Sequence, residues 1–290
     1  MTVHSIRADR LATLYFFRPL RRLVAGRGGR RIPILMYHSI CRPTGQASSP
    51  YYLTETTPKI FEEHLKYFCA SGYTSISLDK LVATLDSRQE DGRKQFVITF
   101  DDGYRDFYTN AFPLLSNYGF SATMFLPAAY IGHESKVFKG KECLTWAEVH
   151  EMQKAGIQFG SHTINHPQLE EIPFAQAEHE VRTSKEMLQD ALGTAVHSFS
   201  YPFAFPEANR KFTSRLRDCL EQCGYRNGVT TILGSAHAPV DRFFLKRLPV
   251  NTWDDLSFLQ AKAEGDYDWL HGPQVLWKRA KRKFRSDPLD

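Results

Sequence analysis

The chain of 290 residues is 42% hydrophobic and 13% aromatic, which is enough to bury a large core and excludes disorder except at the ends. No Pro/Gly/Ser-rich linker divides it, so one α/β domain is expected over residues 32–262, between basic segments at 1–31 and 263–290. The net charge of +5 is concentrated in those segments, in Arg7, Arg10, Arg18, Arg21, Arg22, Arg27, Arg30 and Arg31 at the start and Lys278, Arg279, Lys281, Arg282, Lys283 and Arg285 at the end. Such charge suits either two solvated tails or an anionic partner. Lipid headgroups are expected rather than nucleic acid.

In chain order, Leu11, Leu14, Tyr15, Phe16, Leu20, Leu23 and Val24 alternate with arginines. The pattern reads as an interfacial anchor rather than a signal peptide or a span, since no apolar run reaches about 18 residues. Ile32 to Tyr37 reads as a buried strand closing on His38. Pro58 opens a helix, Ser77 caps a second that runs through Leu85, and Phe96 to Phe100 is a buried strand ending on two acids. A helix over Thr109 to Tyr118 and a strand over Ser121 to Leu126 follow. A helix over Thr145 to Ala155 comes next, with Thr145 and Glu148 spaced as a capping box.

Ile157 to Gly160 is a short strand before a histidine loop, and Phe174 to Leu192 a long helix. Then come strand Ser198 to Tyr201, helix Glu207 to Cys223, strand Gly228 to Ile232, strand Phe243 to Val250 and helix Trp253 to Ala263. Strands alternating with helices predict a parallel sheet or barrel, and the polar residues recur just after strands, where β/α barrels carry their sites. The five cysteines are scattered. Cys219 and Cys223, one helical turn apart, read as structural, and a reducing, cytoplasmic location is expected, with peripheral contact at the inner face of the membrane.

Two segments carry chemistry. Thr99-Phe100-Asp101-Asp102-Gly103 places adjacent carboxylates at a strand end, pointing in different directions, one able to bind a metal and the other to take a proton; a surface Asp-Asp-Gly turn has the same letters. Ser161-His162-Thr163-Ile164-Asn165-His166-Pro167 supplies two imidazoles that, with one carboxylate, make a usual zinc set with open positions.

With these motifs in this order, the chain resembles the polysaccharide deacetylases with the NodB homology domain, a carbohydrate esterase family, over about residues 32–262. The resemblance implies a distorted (β/α)7 barrel. It implies Asp101 as catalytic base, and Asp102, His162 and His166 as ligands of a divalent metal. Zinc is the first expectation, though the set also admits cobalt, nickel or iron. It further implies that Ser200-Tyr201-Pro202-Phe203 stands for the family's Arg-x-Pro-Tyr motif, with the Phe203 N–H at the oxyanion.

Ser200 replaces the expected Arg, so Arg247 either orients the base from a later strand or is a surface arginine. The family's late Leu-x-His is missing. Leu35-Met36-Tyr37-His38 has its character, as in permuted relatives resembling the poly-N-acetylglucosamine deacetylases, so His38 is expected as the acid, ahead of His237 and the tail residue His271. Tyr37, Trp146, Tyr201 and Pro202 are candidate substrate contacts, and Tyr37, Trp146 and Phe203 fit simple packing as well. The implied activity is hydrolysis of N-acetyl groups on an amino sugar of a polysaccharide or glycan precursor. A catalytically silent sugar-binding module, or a membrane-surface partner of a glycan-assembly complex, is the alternative.

Overall fold

Seven strands of three to seven residues, most of their positions buried, close a barrel. They are β1 (Ile34–Tyr37), β2 (Lys94–Phe100), β3 (Thr123–Leu126), β4 (Gln158–Ser161), β5 (Ser198–Ser200), β6 (Asn227–Leu233) and β7 (Leu245–Pro249). All neighbours are parallel. β1 bonds to β2 on one side, with Tyr37 opposite Phe100, and to β7 on the other, with Leu35 opposite Leu248. That double pairing closes the (β/α)7 barrel. The computed structural model describes residues 7–24, 31–42, 51, 53–87 and 92–276; Arg27, Arg30 and the basic stretch Lys278 to Arg285 lie outside them.

The helices are α1 (residues 8–24), α2 (Pro58–Ala70), α3 (Leu78–Asp86), α4 (Phe112–Asn117), α5 (Trp146–Lys154), α6 (Phe174–Leu192), α7 (Arg210–Gln222) and α8 (Leu256–Ala263). The expected capping box of α5 forms in both directions between Thr145 and Glu148. Two boundaries move inward. α7 starts after Asn209, whose side chain accepts from Phe212 N, and α8 starts after Asp255, which accepts from Phe258 N. A strand not anticipated, Tyr73–Ser75, pairs outside the barrel with the start of β2.

Strand parity sorts the side chains. Phe96, Ile98 and Phe100 of β2 join the larger core beneath the helices, whereas Val97 joins Ile34, Phe125, Val229 and Leu245 in a second cluster with Ile76, Leu78, Leu81 and Leu85. This second cluster fills the barrel floor. One repeat further along, the inward positions turn polar.

Among the described residues, the N-terminal arginines meet carboxylates. α1 lies on α8, and Arg7 meets Asp9 and Asp254 at 2.6 and 3.1 Å. Arg10 pairs with Asp255, Arg18 with Glu264 and Asp266, Arg21 with Asp266, and Arg31 with Asp268. Phe17 stacks on Trp269 at 4.2 Å. Among the described residues no helix is long and apolar enough to cross a membrane.

Candidate active site

The site lies where the inward residues of four strands meet above the apolar floor. Asp101 continues the inward series Val97, Thr99 of β2, and Arg247 follows Leu245 on β7. Arg247 is fully buried, and its guanidinium crosses the barrel to Asp101, with Nη1 to Oδ1 at 2.9 Å and Nη2 to Oδ2 at 2.8 Å. Its Nε donates to Thr230 O at 2.9 Å. The alternative of a surface arginine is thereby ruled out.

Ser200, at the position of the family's Arg, donates from Oγ to Asp101 Oδ1 at 3.1 Å and accepts from Arg247 Nη2 at 3.1 Å. A small residue on β5 leaves the volume that the guanidinium from β7 occupies. Burial alone would raise the Asp101 pKa, but the charges of Arg247 and His162 and the Arg247 hydrogen bonds bring it down to about 2. Asp101 is thus ionised throughout the working range.

Asp102, in the left-handed region at φ 75°, turns the chain so that the second carboxylate faces the histidine loop. Gly103 follows at φ 64°, where a Cβ would press on Ile131, Leu126 and Pro127 at 3.1–3.3 Å. Asp102 Oδ1 lies 3.6 Å from His162 Nε2 and 3.2 Å from His166 Nε2. His162 Nδ1 donates to Ser200 O at 2.8 Å, which leaves the Nε2 lone pair toward Asp102.

One donor atom from each of these three buried residues falls within 4.8 Å of the others. Asp102 Oδ1 is buried without a well-directed hydrogen bond, so it is an orphan acceptor facing two imidazole nitrogens. Burial, with His162 and Lys139 nearby, lowers the His166 pKa despite Asp102, which keeps that ring neutral. Burial opposes the charge on Asp102 too, yet the surrounding imidazoles hold its carboxyl far below the usual range. A carboxylate and two imidazoles converging in this way fit a divalent cation of the zinc type.

His38, the residue after β1, keeps the inward parity of Ile34 and Met36, and its Nε2 lies 3.9 Å from Asp101 Oδ2. Burial, Arg247 and His162 lower its pKa against the pull of Asp102 and Asp101. Phe203, at φ 58° and half-exposed, sets its ring 4.7 Å from that of His166. Pro202 is buried directly before it.

Two candidates prove to be core residues. Tyr37 and Tyr201 each adjoin an inward residue, so parity turns them outward. Tyr37 packs on Phe61 and Phe100 and bonds His64 Nδ1 at 3.0 Å, and Tyr201 donates to Phe243 O at 3.0 Å. Trp146 is half-buried in the first turn of α5, packed on the core beside His150, not against the Asp102–His166 cluster. His237 bonds Ser235 O, and His271 pairs with Glu207, so neither joins the cluster.

Two contributors were missed. Glu180 on α6 clasps the histidine loop, accepting from Ile164 N at 2.7 Å, Asn165 N at 3.0 Å and Asn165 Nδ2 at 2.9 Å. Its signal was available, because it is an acid on the core face of the helix shared by Ala177, Val181 and Ser184. Lys139, at the tip of the Val137–Phe138/Lys141–Glu142 hairpin, brings Nζ to 3.5 Å from Asp102 Oδ2 and 3.4 Å from His166 Nε2. Nothing local in the sequence marked it.

The arrangement also has relatives. Residues 88–228 match the family model for polysaccharide deacetylase. The protein YxkH of Bacillus subtilis (strain 168), itself a provisional polysaccharide deacetylase, is 33% identical over 221 residues, covering 76% of this chain and 72% of its own. The chain belongs to the polysaccharide deacetylase family.

Among solved structures, the Streptococcus pyogenes deacetylase PplD, determined with acetate, superposes with a TM-score of 0.68 at 27% identity, covering 81% of this chain and 99% of that one. IcaB from Ammonifex degensii shares the fold, with a TM-score of 0.65, 21% identity and coverage of 83% and 98%. β1 bonds to both β7 and β2, so a strand entering from either end of the chain can close the same barrel.

Proposed function

We propose that the protein is a metal-dependent N-deacetylase that removes acetyl groups from amino sugars of a polysaccharide or glycan precursor. The reading is carried by one observation, the Arg247-clamped carboxylate of Asp101 beside the orphaned Asp102 Oδ1 and its two imidazoles. A divalent ion held by Asp102, His162 and His166, zinc being the first choice, would supply Lewis-acid polarisation of the amide carbonyl and a water acidified toward neutral pH.

Asp101 accepts the proton of the attacking water, and Arg247 and Ser200 keep both of its oxygens in place meanwhile. The Phe203 N–H donates to the oxyanion as the carbonyl becomes tetrahedral. His38 delivers a proton to the departing nitrogen, which leaves poorly without one, and acetate and a free amino sugar result.

Acetate release from N-acetylated sugars and oligomers, by protein stripped with a chelator and then reloaded with zinc, tests this directly. Release should vanish on stripping and return on reloading. Failure of every N-acetylated substrate with loaded protein would overturn the reading.

His38→Ala should cut turnover by about 10²–10⁴-fold, the usual worth of one positioned acid. Bound metal should be unchanged, because His38 is outside the three-residue cluster. An activated acetyl ester, whose leaving group needs less protonation, should lose less. Wild-type turnover in His38→Ala alongside a dead His237→Ala would move the acid to the late loop.

A further inference from the structure

α1 has two unlike faces. One is fixed to α8 and the residues after it by the ion pairs of Arg10, Arg18 and Arg21 and by the Phe17–Trp269 stack. The other carries Leu11, Tyr15, Phe16, Leu20 and Leu23, all exposed, Tyr15 by 73% and Leu23 by 85%. A π turn over Thr13–Phe17, in which Arg18 N donates to Thr13 O, widens the helix locally. It winds the later residues back, so that both segments present their apolar side chains in the same direction.

The rim is cationic. No acid occurs between residues 10 and 24, Arg22 is 66% exposed, and a groove between α1 and α8 mixes Leu14, Pro19 and Leu23 with Arg18, Arg22 and Gln260.

We propose that α1 is an in-plane membrane anchor, its apolar face set into the headgroup–acyl boundary of an anionic phospholipid leaflet. The ion pairs on its other face hold the barrel in one orientation to that leaflet. Charge complementarity favours this occupant, since no acid occurs on the helix between residues 10 and 24, and Arg22, 66% exposed, reaches a carboxylate, Glu264, only at 4.0 Å. A second copy of the chain suits the face less well. A helix of about 17 residues is about 26 Å long, and its exposed stripe falls well short of the roughly 800 Å² per partner of a stable interface.

With Arg7, Arg10, Arg18, Arg21 and Arg31 engaged by carboxylates, apolar insertion rather than net charge carries most of the affinity. Salt therefore weakens binding without abolishing it.

The test is co-sedimentation of the full chain with phosphatidylcholine vesicles containing about 30% phosphatidylglycerol, a composition chosen for its surface charge. Wild type should partition onto them. The variant Tyr15→Ser/Phe16→Ser/Leu20→Ser/Leu23→Ser should bind at least ~100-fold more weakly, with acetate release from soluble oligomers unchanged. Arg22→Glu, which removes no apolar surface, should weaken binding to anionic vesicles and not to neutral ones. Three results would overturn the anchor: equal partitioning of the fourfold variant, wild type remaining in the supernatant, or a wild-type dimer that the fourfold variant splits without any vesicle binding.

Discussion

Asp101→Asn is expected to lose turnover by about 10²–10⁴-fold and folding stability by about 3–5 kcal/mol. The first loss follows because an amide cannot accept the proton of water. The second follows from the clamp. Arg247 is fully buried, and Asp101 is the carboxylate it pairs with, so the substitution leaves a guanidinium charge facing neutral atoms in the barrel interior. Arg247→Met has the converse effect. Burial then acts on Asp101 against His162 and His38 alone, its pKa rises from about 2, and activity falls on the acid side at pH values where the wild type is unaffected.

Denaturant unfolding and turnover of both single variants and of Asp101→Asn/Arg247→Met check this together. The double variant should regain stability relative to Asp101→Asn, since no unpaired charge remains, and should stay inactive. In the wild type the pair's contribution has a definite pH window. The folded pKa of Asp101 is depressed below the ordinary 3.8, so the stabilisation is fully present above that value and is lost as pH falls through about 2. Asp101→Asn with near-normal turnover would remove Asp101 as base.

His162→Ala should abolish turnover, by at least about 10⁴-fold, and lower the affinity for a divalent ion by more than about 100-fold. The second figure is a lower bound, because loss of an outer-sphere partner alone costs about 10–100-fold. His162 is buried, its Nδ1 spoken for by Ser200 O and its Nε2 directed at Asp102 Oδ1, so nothing nearby replaces the lost lone pair. Elemental analysis of purified protein, beside His38→Ala as a metal-retaining control, separates loss of the ion from loss of chemistry. Full occupancy with full turnover in His162→Ala would refute the ligand assignment.

Where chemistry and local pattern coincide, the sequence was legible. β2 shows it best, since the short β-branched and aromatic run from Phe96 to Phe100 reads as a buried strand, and the two acids after it then emerge at a rim. Thr145 and Glu148 announced a helix start that forms with both reciprocal bonds. What stayed hidden was set by contacts distant along the chain. Arg247 is 146 residues from Asp101, and no local feature distinguishes it from a surface arginine. The docking of α1 rests on pairs such as Arg10–Asp255, which composition registers only as a basic end.

Tyr37 and Tyr201 are a different case. Strand parity, carried one residue past the strand end, already assigns them to the outer face once His38 and Ser200 face inward. The short strand Tyr73–Ser75 is polar and half-buried, and only its pairing with β2 makes it a strand.

Among the described residues, five that are not glycine hold a left-handed backbone: Asp102, Lys139, Thr163, His166 and Phe203. Every one of them belongs to the Asp102 corner, the histidine loop, the overhanging hairpin or the turn after β5. Each conformation costs an L-residue about 1–2 kcal/mol, least for Asp and most for branched Thr163. Selection for robustness alone would replace them with glycine, and at Asp102 and His166 that exchange deletes a proposed metal ligand. The rim therefore has a mutational ratchet. Drift toward a sturdier chain removes catalytic equipment first, so descendants that have lost activity should be recognisable by glycines at these positions while the barrel beneath remains intact.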